Sequence, residues 1–509
     1  MFRHAAGMLL AFTFALSATA HVAADLPDEP LEIGFSPQFV FDEWVVDNHW
    51  AIRYKRQAVQ RVVHQAVKHG SAPLLGGDQP SHLWVVRDDE AGLFRLYYQA
   101  NFANTDKQGK LPEKGRKYTT YVAYAESRDG VIWTKPDLAL FPEIRRSPNN
   151  VVVARPGNPK TETCSPVLLE VPKADRHGYR WLMLYRAKGA GGGDYNGIRL
   201  IGSQDGIHWD ADGDTRIAHL HSDCHNTISF DPATKQYVMF CRAKHVYRAF
   251  GETMFDTGAS RRVSRWSSPA LWSDWSAQQD RWPQTLIIPD ERDAETHFNF
   301  FYGMPTVRRH GVYFGFLNPF RMNDFIQTEL AVSRDGVNFR RFPARRPIIP
   351  YGEDGSWDDT MIFASPSWVE VGDEWWIYYS GWDGPHGTTE RTGGIGLAKL
   401  RKEGFVSLRG PRDGGVICTR VLRWPGGDLQ VNANATDGEL KVRVSSPRRR
   451  PLPGFDYDDF QPFSGDSVRH TVRWKNRSMN ELKGETVRLE FFLDDADLFS
   501  FVAAPPESR

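Results

Sequence analysis

Apolar and polar positions over residues 80–400 form short runs that predict β-strands. Many of the runs are apolar on both faces, as in sheets packed between neighbouring sheets. Turn-forming residues such as Asp88-Asp89-Glu90 and Asp231-Pro232 separate them. No long segment shows sustained helical periodicity. The pattern therefore predicts an all-β chain.

The predicted strands come in pairs. The pairs are residues 82–87 with 94–99, 166–170 with 179–185, 227–230 with 237–241, 304–307 with 312–317, and 367–371 with 374–379. A third strand follows each pair and ends in a recurrent turn. Each pair and its following strand fit one small antiparallel sheet.

The recurrent turn has a distinct sequence. Ser-Arg-Asp-Gly-Val-Ile-Trp at residues 127–133 recurs as Ser-Gln-Asp-Gly-Ile-His-Trp at 203–209 and as Ser-Arg-Asp-Gly-Val-Asn-Phe at 333–339. Looser copies begin at 268 and 400, so equivalent positions are 76, 65, 65 and 67 residues apart. Asp and Gly are turn formers, and we expect these Asp residues to be structural. The repeat predicts a five-bladed β-propeller.

The pattern changes after residue 409. Shorter strands with half-buried alternation, such as 438–444 and 486–492, predict a separate antiparallel β-sandwich over 410–509. The propeller is predicted over 25–409 and includes an N-terminal extension at 25–70, part of which (53–69) is expected to be extended. The predicted fold is a five-bladed β-propeller followed by a C-terminal β-sandwich.

Residues 1–24 have the features of an export signal. Arg3 provides a positive start, residues 8–16 are apolar, and small residues at 18–20 or 22–24 offer cleavage sites. No later segment is long enough to span a bilayer, so we predict a secreted or periplasmic protein. A membrane-anchoring helix is the alternative.

The composition of the chain limits the kinds of molecule that it is expected to bind. The 509 residues have zero formal net charge and no basic tail, so we expect no nucleic-acid partner. Aromatic residues make up 13%, which suits packed sheets or a surface that stacks on sugars. The four cysteines include no CxxC pair, which disfavours a zinc ribbon. Cys224 and Cys241 flank a turn and either form a disulfide or remain buried thiols.

Acidic residues occur where the first strand of each predicted blade begins. In a propeller these starts gather around one mouth of the central channel. The acids are Asp78, Glu162, Asp223, Glu295, and the pair Asp358 and Asp359. A single acid at a strand start often only caps a turn. Acids at all five starts predict a group of carboxylates at the mouth.

Converging carboxylates suit glycoside hydrolysis, which needs one carboxylic acid and one carboxylate. Alternate strand residues share a side, so Asp223 is expected beside His225, and Glu295 beside His297 and Asn299. We expect the substrate to be bound by the remaining polar and aromatic residues near the starts: His82, Trp84, Glu162, His225, His297, Asn299, Trp357, Asp358 and Asp359. A metal site made by His225, His297 and a carboxylate is the alternative.

The chain resembles the five-bladed propeller glycoside hydrolases of families 32, 43 and 68. The likeness is strongest to family-32-like proteins of environmental bacteria. It rests on the blade repeat and on three stretches, Phe39-Val-Phe-Asp-Glu-Trp-Val-Val-Asp47, Phe300-Phe-Tyr-Gly-Met-Pro305 and Gly465-Asp-Ser-Val-Arg-His470.

The resemblance implies three catalytic acids. By blade position these are Asp78 as nucleophile or base, Asp223 as the residue that tunes pKa and binds substrate, and Glu295 as acid. The chain has no Trp-Met-Asn-Asp-Pro, Arg-Asp-Pro or Glu-Cys-Pro stretch, which disfavours fructan or sucrose as substrate. Asp42 or Glu43 could instead reach the mouth.

The sequence thus predicts an exported glycoside hydrolase that acts on a poly- or oligosaccharide and needs no cofactor. Two alternatives stay open. One is a propeller that binds glycan without cleaving it, and the other is a metal-dependent polysaccharide lyase or hydrolase that uses the histidines.

Overall fold

A computed structural model gives the structure of the chain. It describes residues 29–47, 59–104, 110, 113, 117–144, 146–155, 158, 160–189, 195–220, 222–242, 261–277, 283–298, 300–321, 324–388 and 390–505. The predicted export signal and Asn299 lie outside the described residues. Within them the chain is almost entirely β-structure, as predicted.

Four short strands precede the propeller: β1 (Leu31–Glu32), β2 (Gln38–Phe39), β3 (Gln60–Val63) and β4 (Val67–Lys68). The first three pair with strands of the C-terminal sheet. Only β4 joins the propeller. Three of these four strands are therefore paired with the far end of the chain.

Five antiparallel sheets form the blades. Blade 1 contains β5 (Ser81–Asp88), β6 (Leu93–Ala103), β7 (Tyr118–Ser127) and β8 (Val151–Val153). Blade 2 contains β9 (Glu162–Leu168), β10 (Trp181–Lys188), β11 (Gly197–Ser203) and β12 (Thr215–Ala218). Blade 3 contains β13 (Thr227–Asp231), β14 (Gln236–Arg242), β15 (Val263–Ser268) and β16 (Gln284–Ile287).

Blades 4 and 5 follow the same plan with additions. A two-stranded ladder of β17 (Phe300–Phe301) and β20 (Pro319–Phe320) flanks blade 4, which contains β18 (Thr306–Arg309), β19 (Val312–Leu317), β21 (Glu329–Ser333) and β22 (Arg340–Arg341). Blade 5 contains β23 (Met361–Ala364), β24 (Val369–Val371), β25 (Glu374–Trp382) and β26 (Gly393–Arg401), with β4 as its outer strand. Its first strand is thus split in two and starts earlier than the predicted 367–371.

Small hydroxyl side chains join neighbouring blades near the channel. Oγ of Ser367 in blade 5 accepts from the backbone N–H of Val85 in blade 1, and Oγ1 of Thr227 in blade 3 accepts from the N–H of Thr306 in blade 4. Among the described residues, the first strand of each blade has no neighbouring strand on its channel side. These bonds therefore satisfy backbone groups that would otherwise lack a partner there.

The recurrent turns have the predicted structural role. In the copy at blade 2, the N–H of Gly206 donates to Oγ of Ser203, and Oδ1 of Asp205 accepts from the N–H of Ile207. The carbonyl of Gly206 also accepts from the hydroxyl of Tyr97 in blade 1, at 2.8 Å. The turns therefore connect adjacent blades as well as closing strands.

The C-terminal strands form the predicted sandwich from one curled ten-stranded sheet. They are β27 (Val406–Arg409), β28 (Gly415–Cys418), β29 (Leu422–Arg423), β30 (Asp428–Ser445), β31 (Phe463–Thr471), β32 (Thr486–Asp494) and β33 (Asp497–Ala504). The long β30 pairs with β33 in its first half and with β32 in its second half. The hydrophobic core of this sheet includes Ile33, Val40 and Val45 from the N-terminal segment.

Helices are few. The described residues contain one short α-helix, α1 (Glu291–Glu295), and 3₁₀ turns at Lys173–Arg176, Trp275–Ala277 and Met479–Leu482. None of the described helices is long and apolar enough to cross a bilayer. All four cysteines are buried free thiols, so the alternative of a Cys224–Cys241 disulfide is not realised.

Candidate functional site

The propeller mouth is the face where each first strand begins and each second strand ends. The recurrent Ser-x-Asp-Gly turns lie at the opposite face, because they follow the third strands. One side-chain cluster at this mouth, called the mouth cluster below, receives a member from every blade. Its members are His82, Ser165, His225, Tyr302 and Phe363.

His82 of blade 1 lies at the centre of the mouth cluster. Its Nδ1 atom is 3.3 Å from Oγ of Ser165 in blade 2. Its ring centroid is 5.6 Å from that of His225 in blade 3 and 5.6 Å from that of Phe363 in blade 5. Tyr302, beside blade 4, has its ring 6.1 Å from His82 and 5.2 Å from Phe363.

The backbone at the start of blade 1 is strained. His82 has a φ of 41°, and Asp78 and Gln79 have φ values of 46° and 43°. Non-glycine residues seldom adopt this left-handed region, and such outliers concentrate at functional sites. The surrounding contacts hold His82 in place, including one of 3.3 Å between its Nδ1 atom and Oε1 of Gln99.

Asp223 provides a carboxylate at the edge of the mouth cluster. Its side chain is 39% exposed and forms an ion pair with Arg242, whose side chain is only 3% exposed. A second cation, Arg261, lies 4.4 Å above the ring centroid of Tyr302 and 3.9 Å from Oδ1 of Asp223. The carboxylate is thus held against two guanidinium groups.

A second carboxylate belongs to the same electrostatic group. Glu162 begins β9 and Arg186 lies near the end of β10, the neighbouring strand. Burial acts to lower the pKa of Arg186, but nearby negative groups outweigh it and raise that pKa. Asp223 and Glu162 are both among these groups. Arg186 therefore lies within electrostatic reach of both carboxylates.

The histidines of the mouth are neutral at neutral pH. Burial, with the neighbouring His82, lowers the pKa of His225 to about 3. The ring centroid of His386 is 5.4 Å from that of Tyr302, and burial, with Arg261 and Arg391, lowers the pKa of His386 to about 4. Burial also lowers the pKa of His82. These rings offer hydrogen-bond donors and acceptors without charge.

Asp78 is not brought to the mouth cluster, contrary to the predicted convergence. Its carboxylate is 14% exposed and pairs with Lys135 at 2.8 Å and Arg146 at 2.9 Å. Burial acts to raise the pKa of Asp78, but these two partners outweigh it and lower the pKa. Cations hold both oxygens of Asp78 and its side chain is only 14% exposed, against 39% for Asp223, so Asp78 has the more structural environment.

Glu295 and His297 also lie away from the mouth cluster. Both are exposed at the end of α1 and the residues that follow it. Asp293 of this helix pairs with Arg341 on the outer strand of blade 4. The side chain of Glu295 has no hydrogen bond or ion pair to another described residue. Helix formation at 291–295 replaces the strand start on which the prediction relied.

The acids of blade 5 are structural. Asp358 is buried, pairs with Lys68 at 2.6 Å and accepts from the hydroxyl of Tyr379 at 2.8 Å. Asp359 accepts from the N–H of Gly355 within its own turn. Trp357 stacks on Tyr379, with centroids 5.6 Å apart. This group supports the closure of blade 5, not the mouth cluster.

The indole of Trp84 is edge-on to the imidazole of His225, at a centroid distance of 6.1 Å. Trp84 is buried in the channel wall, however, and not free to stack on a sugar.

Asp42 and Glu43 do not reach the mouth. Asp42 pairs with Arg334, which lies in the recurrent turn of blade 4 at the opposite face. Glu43 pairs with Arg61 and Arg340.

The predicted metal alternative finds no support in the described residues. Among them, no group of three or more His, Cys, Asp or Glu side chains could hold a metal ion. Nε2 of His225 instead donates to the carbonyl of Pro166 at 3.1 Å, and His297 is on a different part of the surface.

Sequence reasoning missed the arginines and Tyr302. A signal was present, because Leu-Tyr-Arg-Ala-Lys at 184–188 recurs as Phe-Cys-Arg-Ala-Lys at 240–244. Both place an arginine, Arg186 or Arg242, at the mouth end of the second strand. Blade 1 has Tyr-Tyr-Gln-Ala at 97–100, and its Gln99 contacts His82.

No protein-family model matches the sequence, and no curated protein matches it significantly. Several solved structures are similar to it at low identity. An N-acetylgalactosamine deacetylase from F. plautii is 16% identical with a TM-score of 0.41, covering 68% of this chain and 96% of its own. A thermostable family-43 glycoside hydrolase is 14% identical with a TM-score of 0.42, covering 70% and 97%.

A β-1,2-mannobiose phosphorylase from Listeria innocua is 12% identical with a TM-score of 0.41, covering 72% of this chain and 96% of its own. The solved structures to which this chain is similar thus include a glycoside hydrolase and a glycoside phosphorylase.

Proposed function

We propose that this protein is a glycoside hydrolase that cleaves a poly- or oligosaccharide at the propeller mouth. The observation that carries the proposal is the mouth cluster itself. All five blades contribute to it, and a partly exposed carboxylate, Asp223, lies at its edge. Convergent polar groups next to aromatic side chains are a common form of small-molecule site.

Two carboxylates supply the chemistry that glycoside hydrolysis needs. Asp223 acts as the ionised carboxylate, because it is already ion-paired with Arg242. Glu162 acts as the proton donor to the leaving oxygen. These roles replace those predicted for Asp78 and Glu295, whose environments do not suit catalysis.

The remaining side chains bind the sugar. Neutral His82, His225 and His386 exchange hydrogen bonds with hydroxyl groups without competing for the proton that Glu162 delivers. Tyr302 and Phe363 offer aromatic faces next to them. The strained backbone at His82 is consistent with a side chain held in place for function.

Export belongs to the proposal as well. It rests on residues 1–24, whose charge and apolar pattern are those of an export signal. A secreted or periplasmic hydrolase would meet polysaccharide outside the cytoplasm, and the proposal includes no nucleic-acid partner.

Release of reducing ends from a panel of polysaccharides tests the proposal. The wild-type protein should release them, and treatment with a chelator should not change the rate. Binding to a polysaccharide without any release would favour the glycan-binding alternative. Activity lost on chelation and restored by a metal ion would favour the metal-dependent alternative.

A further inference from the structure

The charged groups around the mouth cluster include more cations than anions among the described residues. Three arginines, Arg186, Arg242 and Arg261, surround two carboxylates, Asp223 and Glu162. A fourth, Arg391, lies close enough for Tyr302 to influence its pKa, although burial dominates and lowers that pKa. Since burial keeps the mouth histidines neutral, the guanidinium groups are the cations of this site.

Arg242 has donors that the described residues leave unused. Its side chain is 97% buried, and one nitrogen pairs with Asp223. Its Nε and Nη1 atoms are buried without a hydrogen-bond partner among the described residues. Buried donors are nearly always satisfied in folded proteins, so unused donors beside the mouth cluster point to an acceptor supplied by a ligand.

Two further guanidinium groups are under-used in the same place. Nη1 of Arg261 is buried and has no hydrogen-bond partner in the described part of the chain. In that same part, the side chain of Arg186 has a single hydrogen bond, 3.8 Å long, to Sγ of Cys164. Sulfur is a weak acceptor, so Arg186 retains most of its donor capacity.

We propose that the mouth binds a sugar bearing an anionic oxygen group, a carboxylate or a sulfate ester, through Arg186, Arg242 and Arg261. Planar guanidinium groups match the paired oxygens of both anions. This inference rests on the proposed function and deepens it, because it names the class of glycan at the same site.

Ion pairing with Asp223 does not by itself account for the arginines beside the mouth cluster. Arg242 already makes a short ion pair with that carboxylate, whereas Arg261 remains 3.9 Å away. At the opposite end of the channel Asp231 has one arginine near it among the described residues, Arg308 at 3.8 Å, whereas Asp223 has two.

Calorimetric binding to the full-length protein tests the inference. The probes are three matched pairs of sugars, glucuronate with glucose, galacturonate with galactose and mannuronate with mannose, together with galactose 6-sulfate and inorganic sulfate. The variants are Arg261→Gln and, as matched control, Arg308→Gln. Their side chains are similarly exposed, at 23% and 20%, and each lies near an aspartate.

At least one anionic probe should bind more tightly than its neutral partner. Arg261→Gln should weaken that binding about 10- to 100-fold, whereas Arg308→Gln should change it less than about two-fold. Preference for a uronate indicates a carboxylate, and preference for a sulfated probe indicates a sulfate ester. If every anionic probe binds no better than its neutral partner, or if both variants weaken binding equally, the inference is wrong.

An Asp223→Asn variant separates this inference from the proposed function. Removing a negative charge next to the arginines should leave anion binding intact or stronger, while hydrolysis is lost. Anion binding by a protein that shows no hydrolysis on any polysaccharide would uphold the inference and refute the proposed function. Hydrolysis confined to neutral glycans would do the reverse.

Discussion

Nζ of Lys68 lies 2.6 Å from Oδ2 of Asp358, and this ion pair ties the strand that closes the propeller to blade 5. Lys68 belongs to β4, which pairs with β26. The two side chains are 18% and 3% exposed. The ring therefore closes through a partly buried charge pair as well as through backbone hydrogen bonds.

Lys68→Ala should lower the free energy of unfolding by about 3–5 kcal/mol, because it leaves a buried carboxylate without its cation. Thermal or denaturant unfolding checks this. Lys399→Ala is the control on the adjacent strand. Its surface pair with Glu374 is 3.5 Å long, and its loss should cost less than about 1 kcal/mol. Equal effects of the two substitutions would show that the pair does not support closure.

Gly206→Ala should destabilise the protein by about 2–5 kcal/mol, as the sum of a positive-φ cost and overpacking. Gly206 has a φ of 78°, and an added Cβ would lie 2.6 Å from the hydroxyl oxygen of Tyr97.

Gly178→Ala isolates the backbone contribution, because Gly178 has a φ of 86° and nothing within 4 Å of an added Cβ. It should cost only about 1–2 kcal/mol. If the two substitutions have the same effect on the melting temperature, the contact between blades 1 and 2 does not stabilise the ring.

Stability should fall as the pH drops below the ordinary pKa of histidine, 6.5, toward the folded-state pKa of about 3 at His225. In this window the unfolded chain takes up a proton that the folded protein excludes. The stabilisation contributed by neutral His225 is therefore fully present above this window. As the pH falls through the window, the free energy of unfolding decreases by about 1.4 kcal/mol per pH unit.

Unfolding measured across this pH range checks the slope, which should be shallower in His225→Gln. The control is His208→Gln, because the side chain of His208 is 70% exposed. An unchanged slope in His225→Gln would mean that His225 is not held neutral.

The exported protein should begin shortly after residue 20 or residue 24. Amino-terminal sequencing of the protein recovered from the periplasm or medium tests this prediction. A mature protein that retains Met1 would contradict it.

The sequence predicts local features of this fold well and distant pairings poorly. The turn at Ser203-Gln-Asp-Gly206 is predictable because its hydrogen bonds lie within the motif. The pairing of β4 with blade 5 is not, because Val67 and Lys399 are far apart in the chain and β4 has no distinctive pattern.

The candidate site shows the same limit. Asp223 and His225 are close in sequence, and both precede the first strand of blade 3, a position that the strand pattern alone predicts. Asp78 occupies a similar position, but its partners Lys135 and Arg146 come from a distant loop. The cations that pair with an acid cannot be identified from the sequence pattern when they lie this far away along the chain.

The most direct test of the central claim compares kcat/KM of Asp223→Asn with that of Asp78→Asn on a polysaccharide that the wild-type protein cleaves. The mouth assignment predicts a loss of about 100- to 10,000-fold for Asp223→Asn, as expected when a group that takes part in proton transfer is removed. It predicts a loss of less than about ten-fold for Asp78→Asn, measured where both variants are folded. Retained activity in Asp223→Asn, with the large loss at Asp78 instead, would contradict the account.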